Sequence, residues 1–124
     1  GRRFLLVEDN ELNCEIASQL LEVAGAAEEC APDGAEGVKA FEEKDPGYFD
    51  AILMDIQMPV MNGYEAARRI RKSTHPQAGS IRIIAMSANT FSDDVHAALE
   101  SGMNAHVGKP IDMDVLADVL SAVL

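Results

Sequence analysis

Three carboxylates, one hydroxyl and one ammonium each follow a short apolar run in this chain. Glu8 and Asp9 come after Phe4-Leu5-Leu6-Val7, and Asp55 comes after Ala51-Ile52-Leu53-Met54. Ser87 ends the run from Ile81 to Met86, and Lys109 follows Ala105-His106-Val107-Gly108. If these runs are neighbouring parallel strands, their C-terminal ends share one rim, where open α/β sheets bind ligands. Carboxylates crowded on adjacent strand ends repel one another, and a hard divalent cation relieves the repulsion. Mg²⁺ accepts one or two carboxylates, keeps waters and leaves positions for phosphate oxygens. The set suits phosphoryl transfer. Asp55 can attack as a carboxylate nucleophile, while the cation, the Ser87 hydroxyl and Lys109 neutralise charge on the phosphoryl oxygens.

Blander readings compete with this one. Asp55 alone could be a solvated loop aspartate. Lys109 could be a surface lysine, but Gly108 and Pro110 beside it make a constrained turn. Ser87 could cap a helix, although Ser92 is the better candidate. Glu8-Asp9 could cap the first helix, a role open to Asp9 or Asn10 as well.

The elements that must position these groups follow from the pattern. Ala51 to Met54 does not alternate, which predicts a strand buried on both faces. Pro59 cannot continue a ladder, and Asn62-Gly63-Tyr64-Glu65 has the form of an N-cap with a glutamate three residues on. Helix three is expected from Gly63 to Lys72, packing through Ala66, Ala67 and Ile70. Phe4 to Val7 reads as strand one. Helix one follows, with Leu12, Ile16, Leu20 and Val23 at near-helical spacing and Gly25 as its stop. Glu28 to Ala31 is a weak, polar strand suited to a sheet edge. Asp33-Gly34 turns the chain into helix two, which carries Ala35, Val38 and Phe41 inward and ends before Asp45-Pro46-Gly47. A loop from 73 to 80 precedes strand four. Ser92-Asp93-Asp94 opens helix four and Gly102 closes it. Ala105 to Val107 is strand five, and Asp112 caps a helix five packing through Val115, Leu116, Val119 and Leu120. Five strand–helix units give an α/β fold with a five-stranded parallel sheet and helices on both faces. The flavodoxin-like (βα)5 order 2-1-3-4-5 fits, because polar strand two falls at an edge. The 124 residues are expected to form a single domain.

The net charge of -11 argues against direct contact with nucleic acid or an anionic membrane, and favours a basic protein partner or a cation. No apolar run approaches the roughly 20 residues of a membrane span. No signal peptide is visible, so a cytoplasmic domain is expected. The start Gly1-Arg2-Arg3 suggests a piece of a longer chain, whose remainder could carry a membrane anchor. Cys14 and Cys30 lack metal-ligand spacing, and two buried thiols in a reducing compartment are expected.

Val7-Glu8-Asp9-Asn10, Met54-Asp55-Ile56-Gln57-Met58-Pro59-Val60-Met61-Asn62-Gly63, Ser87-Ala88 and Lys109-Pro110 together resemble the signature of two-component receiver domains, in order and across essentially the whole chain. The resemblance implies that Asp55 is phosphorylated by a histidine kinase or a histidine phosphotransfer domain. It implies Mg²⁺ held by Asp9, Asp55 and the Gln57 backbone carbonyl, with Glu8 acting through a metal-bound water. Ser87 and Lys109 would contact the phosphoryl group, and the Lys109-Pro110 peptide would be cis. Such a domain catalyses its own phosphorylation and dephosphorylation, at rates tuned partly through positions matching Gln57 and Asn89. Two departures stand out: Glu8-Asp9 where many members have two aspartates, and His106 at the switch position usually held by Tyr or Phe. With Asn10, Asn13 and the run Gly102 to Pro110, these make the chain most similar to receivers of hybrid sensor histidine kinases. Strand alternation predicts that His106 points away from the face of Ala105 and Val107. The resemblance implies that Ser87 moves on activation. An imidazole gains less from burial than a phenol, so a weaker aromatic switch is expected at His106, with phosphorylation changing the surroundings of Ser87 and Lys109 more than helix four. Two other readings share the fold class. A Mg²⁺-dependent phosphatase with an aspartyl-phosphate intermediate would place an Asp-x-Asp motif on strand one, which Glu8-Asp9 lacks. A flavin carrier would need an anion-binding loop where this chain has acids.

Overall fold

A computed structural model describes residues 3–23, 25–45, 47–56, 62–87, 96–97, 99–108, 114 and 118–119, with Ser87 described through its backbone. Its centre is β3 (Ala51–Asp55), in which all five residues are buried. A strand flanked by strands and covered on both faces has no solvent side for alternation to serve. β1 (Arg3–Val7) pairs with it in parallel, with Val7 opposite Met54. On the other side of β1 lies β2 (Ala27–Ala31), also parallel. β4 (Arg82–Ser87) pairs with β3 and with β5 (Ala105–Gly108). The order is therefore β2-β1-β3-β4-β5, as expected, with polar β2 at one edge.

Side chains from alternate strand positions build two apolar layers. Leu5, Val7, Ile52, Met54, Ile83 and Ala85 face α2 (Gly34–Glu43) and α3 (Gly63–Lys72). Phe4, Leu6, Leu53, Ile84, Met86 and Val107 face α1 (Glu11–Val23), and Val119 packs on the same side. Burying one such Leu or Ile contributes about 1.5–3 kcal/mol relative to exposure. α3 packs through Ala66, Ala67 and Ile70 as expected.

α1 and α2 depart from expectation. Leu12, Ile16 and Val23 of α1 face solvent, with Val23 89% exposed. The buried side chains are Ala17 and Leu21, with Cys14 packed beside them. α1 carries apolar residues on two stripes, and the sheet takes the one whose small residues allow close approach. In α2, Ala35 is exposed while Gly34, Gly37, Val38 and Phe41 are buried. A Cβ on Gly37 would lie 2.7 Å from Val7 Cγ2, so the helix sits closer to β1 than any side chain would allow.

The expectation of two free thiols is also corrected. Cys14 on α1 and Cys30 on β2 form a disulfide, with Cα atoms 6.7 Å apart, and Cys30 is exposed. That pairing depends on how α1 lies across β2, which a separation of 16 residues does not reveal.

α1 ends at Gly25, whose positive φ of 82° suits glycine at a helix stop, and Ala26 N–H donates to Leu21 O. Gly102 does the same after helical residues 96–97 and 99–100, with φ 100°. Here α3 reaches across. Arg71 Nε donates to Gly102 O at 2.9 Å, and its terminal nitrogens donate to Ala78 O and Asn104 Oδ1. Burial first, and Arg82 second, pull the Arg71 guanidinium below the ordinary arginine value, though arginine stays charged. The expected starts of helices four and five, at Ser92-Asp93-Asp94 and Asp112, lie outside the described residues, as do Val115, Leu116 and Leu120. Among the described residues no helix is long and apolar enough to cross a membrane.

Candidate functional site

β1 and β3 end side by side, so the residues at and just after their ends meet. Asp55 is the last residue of β3, and Glu8 and Asp9 are the first after β1. One carboxylate oxygen from each lies within 4.8 Å of those of the other two. Asp55 is 2% exposed and Glu8 4%, whereas Asp9 is open to solvent. Two nearly buried carboxylates beside a third make a strong local concentration of acceptor oxygens. That is the donor set a hard cation takes: Mg²⁺ binds oxygens at about 2.1 Å and tolerates waters in place of missing side chains.

Backbone bonds hold Glu8 and the residue after Asp55. Glu8 N–H donates to Ala31 O at 3.0 Å, extending the β1–β2 ladder one residue past β1. Asn10 N–H donates to Glu8 Oε1 at 3.3 Å. The Asn10 side chain accepts from Leu12 N–H and Asn13 N–H, so Asn10 caps α1, one of the two candidates for that role. Past Asp55, Ile56 N–H donates to Met86 O, and Gly63 N–H donates to Ile56 O. A Cβ on Gly63 would meet Asp55 O at 2.5 Å and Ile56 Cα at 2.8 Å. Only glycine lets α3 begin against the backbone that carries Asp55. Asn62 caps α3, its Oδ1 accepting from Glu65 N–H at 2.9 Å.

Other expected site residues fall around this centre. Asp55 is opposite Met86 in the β3–β4 register, so Ser87 ends the next strand one position further along the rim. His106 on β5 pairs with Ala85 on β4 and is half-buried. Ala105 and Val107 pack on the α1 face, so His106 belongs to the opposite face, as alternation requires. Its Nε2 is buried without a hydrogen-bond partner among the described residues. Gln57, Lys109 and the Lys109-Pro110 peptide lie outside the described residues. Sequence reasoning missed the closeness of Gly63 to Asp55. It also missed the Cys14–Cys30 pair, which lines a groove of about 620 Å³ with Glu8, Asp9, Glu11 and Glu15.

Residues 4–121 match the response regulator receiver domain family. The chain belongs to that family. The receiver is 35% identical, over all of its length, to part of the peroxide stress-activated histidine kinase mak1 of Schizosaccharomyces pombe, and it spans 8% of that protein. Among solved structures it resembles the receiver domain of the sensor histidine kinase PA1611 from Pseudomonas aeruginosa, with a TM-score of 0.87 and 34% identity. The match covers 99% of this chain and 97% of that one, which holds a magnesium ion in its active-site cleft. It also resembles the receiver domain of Ssk1 from Saccharomyces cerevisiae, crystallised with the histidine phosphotransfer protein Ypd1. There the TM-score is 0.84 and the identity 30%, over 98% of this chain and 88% of that one. Receivers are the phosphorelay modules of two-component signalling and bind Mg²⁺ at an acidic site. In this one, Glu8, Asp9 and Asp55 form an acidic cluster where β1 and β3 end.

Proposed function

We propose that Asp55 is the phosphoacceptor of this receiver, and that a histidine kinase or a histidine phosphotransfer domain supplies the phosphoryl group. The observation that carries the reading is the nearly buried Asp55 carboxylate at the end of the central strand, clustered with Glu8 and Asp9. In the transfer, an Asp55 carboxylate oxygen attacks phosphorus as the P–N bond of the phosphohistidine breaks. The imidazole leaves and takes up a proton, and the product is an acyl phosphate on Asp55. Asp9, Asp55 and the Gln57 carbonyl would hold Mg²⁺, with Glu8 acting through a water. When bound, the ion supplies positive charge against the phosphoryl oxygens. Ser87 and Lys109 would donate to those oxygens. Gly63 and the Ile56 backbone bonds hold Asp55 in place, which keeps attack in line rather than letting the carboxylate swing.

Leu12 and Ile16, one turn apart and exposed on α1 beside the acids, give a docking partner an apolar strip next to the site. The parent chain is a hybrid histidine kinase, and the receiver works on the cytoplasmic side, where ATP-fed kinases act. Fractionation of producing cells tests that placement. The decisive experiment is incubation with acetyl phosphate and Mg²⁺, followed by intact mass. The expected result is a gain of one phosphoryl group that needs Mg²⁺ and vanishes in Asp55→Asn. An equal gain in the variant overturns the assignment, and steady turnover of small phosphate esters would favour a phosphatase.

A further inference from the structure

The disulfide closes a covalent and hydrogen-bonded ring around Glu8. Cys14 N–H donates to Asn10 O in the first turn of α1, and Asn10 N–H donates to Glu8 Oε1. Glu8 N–H in turn donates to the carbonyl of Ala31, the residue after Cys30. The Cys14–Cys30 bond completes the circuit from α1 back to β2. The two sulfurs differ in access, since Cys30 is exposed while Cys14 is half-buried against the Ala17 and Leu21 layer. α1 buries only Ala17 and Leu21 fully. Its first turn therefore has little apolar packing to hold it against β2 once the sulfur link is cut.

We propose that Cys14–Cys30 is a reversible redox modification site, whose disulfide fastens the start of α1 over the acidic groove and whose reduction releases it. The co-reactant is a dithiol without negative charge near its thiol. One of its thiolates attacks the exposed Cys30 sulfur, forming a mixed disulfide and expelling Cys14 as a thiolate, which takes up a proton. The second thiol of the reductant, as thiolate, then attacks its own sulfur in the mixed disulfide. It leaves as a disulfide, and Cys30 is released and protonated. Two electrons and two protons have passed to the protein, and the dithiol is oxidised. Glu8, Asp9, Glu11 and Glu15 line the same groove, so an anionic thiol approaches against their charge. Re-formation is the same exchange run backwards, with the oxidised form of the dithiol as the two-electron acceptor, so the state of the bond follows the balance of that couple.

The test uses the whole chain, oxidised with excess 2-hydroxyethyl disulfide, an uncharged linear disulfide, or reduced with dithiothreitol. Iodoacetamide labelling and intact mass should show no label on the oxidised form and two labels on the reduced form. Two labels on the oxidised form overturn the proposal. Hydrogen exchange at α1 amides 11–17 should quicken by about tenfold or more on reduction, while β3 and α3 amides stay unchanged. Equal α1 exchange in both states overturns the fastening role. The Cys14→Ser, Cys30→Ser double variant should exchange like the reduced protein under either treatment. A variant that exchanges like the oxidised protein also overturns it. Reduction by 2-mercaptoethanesulfonate at low salt should be about threefold slower than by 2-mercaptoethanol at matched thiolate concentration, with the gap closing as salt is added. Equal rates at low salt overturn the assigned co-reactant class. None of these readouts requires Asp55 to accept a phosphoryl group, so the phosphoacceptor reading stands or falls separately.

Discussion

β1 has two parallel neighbours of opposite character. On one side β3 buries all five of its residues. On the other side β2 buries only Ala31. The acids divide along the same line. Asp55 ends the strand that cannot move without disturbing both apolar layers. Glu8 hangs from the β1–β2 ladder, and Asp9 and Asn10 lead into α1, whose apolar anchoring is thin. A phosphoacceptor needs a fixed oxygen, whereas groups that gather a cation or meet a partner tolerate adjustment. The sheet supplies stiffness where the proposed nucleophile sits and leaves compliance at its edge.

The sharpest way to break this comparison is at the proposed nucleophile. Asp55→Asn removes the attacking carboxylate while keeping its shape. Phosphorylation by acetyl phosphate is expected to vanish, while the fold, read by circular dichroism, is retained. Next in size is a packing change on each side of β1. Leu53→Ala empties a fully buried site and should cost about 2–5 kcal/mol in urea unfolding. Glu28→Ala, at a half-buried position of the polar strand β2, should cost less than about 1 kcal/mol. Similar losses at the two positions would erase the distinction between the strands.

Breaking the disulfide addresses the compliant side directly. A bridge over 16 residues of separation contributes about 3 kcal/mol in the chain-entropy account. Reduction should lower the urea midpoint accordingly. Gly63→Ala addresses the stiff side from α3. The new Cβ would press on the backbone of Asp55 and Ile56, which cannot rotate aside as a side chain can. A loss of about 1–3 kcal/mol is expected, together with slower phosphorylation. A stable Gly63→Ala protein phosphorylated at the normal rate would show that the junction has slack.

The same divide explains what could be read from the chain alone. β3 and α3 were legible residue by residue, because an apolar run and an Asn-x-x-Glu cap are local signals and burial there follows them. The face of His106 was legible from alternation. The orientation of α1 was not. Spacing gives a helical period, but Leu12, Ile16 and Val23 form one stripe while Cys14, Ala17 and Leu21 form another. Which stripe meets the sheet depends on how closely the backbone can approach. Buried Gly37 was missed for a related reason: hydrophobic counting gives no weight to a residue whose contribution is the absence of a side chain. The meeting of Cys14 and Cys30 depends on how α1 crosses β2, which no local pattern encodes.

The smallest expected effects come from the two asparagine caps, and they sharpen the comparison most cleanly. Asn10 and Asn62 do the same job: each side-chain oxygen accepts a backbone N–H in the first turn of its helix. Replacing either with Ala should cost about 1 kcal/mol of stability. Their consequences for the site should differ. Asn62 caps a helix whose start is also held by the Gly63–Ile56 hydrogen bond and by Ala66 and Ala67 in the core. Its loss should leave Mg²⁺ affinity unchanged. Asn10 joins a thinly packed helix to Glu8 through its own N–H. Fraying α1 there loosens the Asn10 N–H bond to Glu8 Oε1, so Mg²⁺ affinity should fall several-fold, by the roughly 1 kcal/mol the cap supplies. Titration of both variants with Mg²⁺, followed by tryptophan-free probes such as NMR shifts at Asp55, separates the two cases. Equal affinities in the two variants would mean that the edge of the sheet is as stiff as its centre.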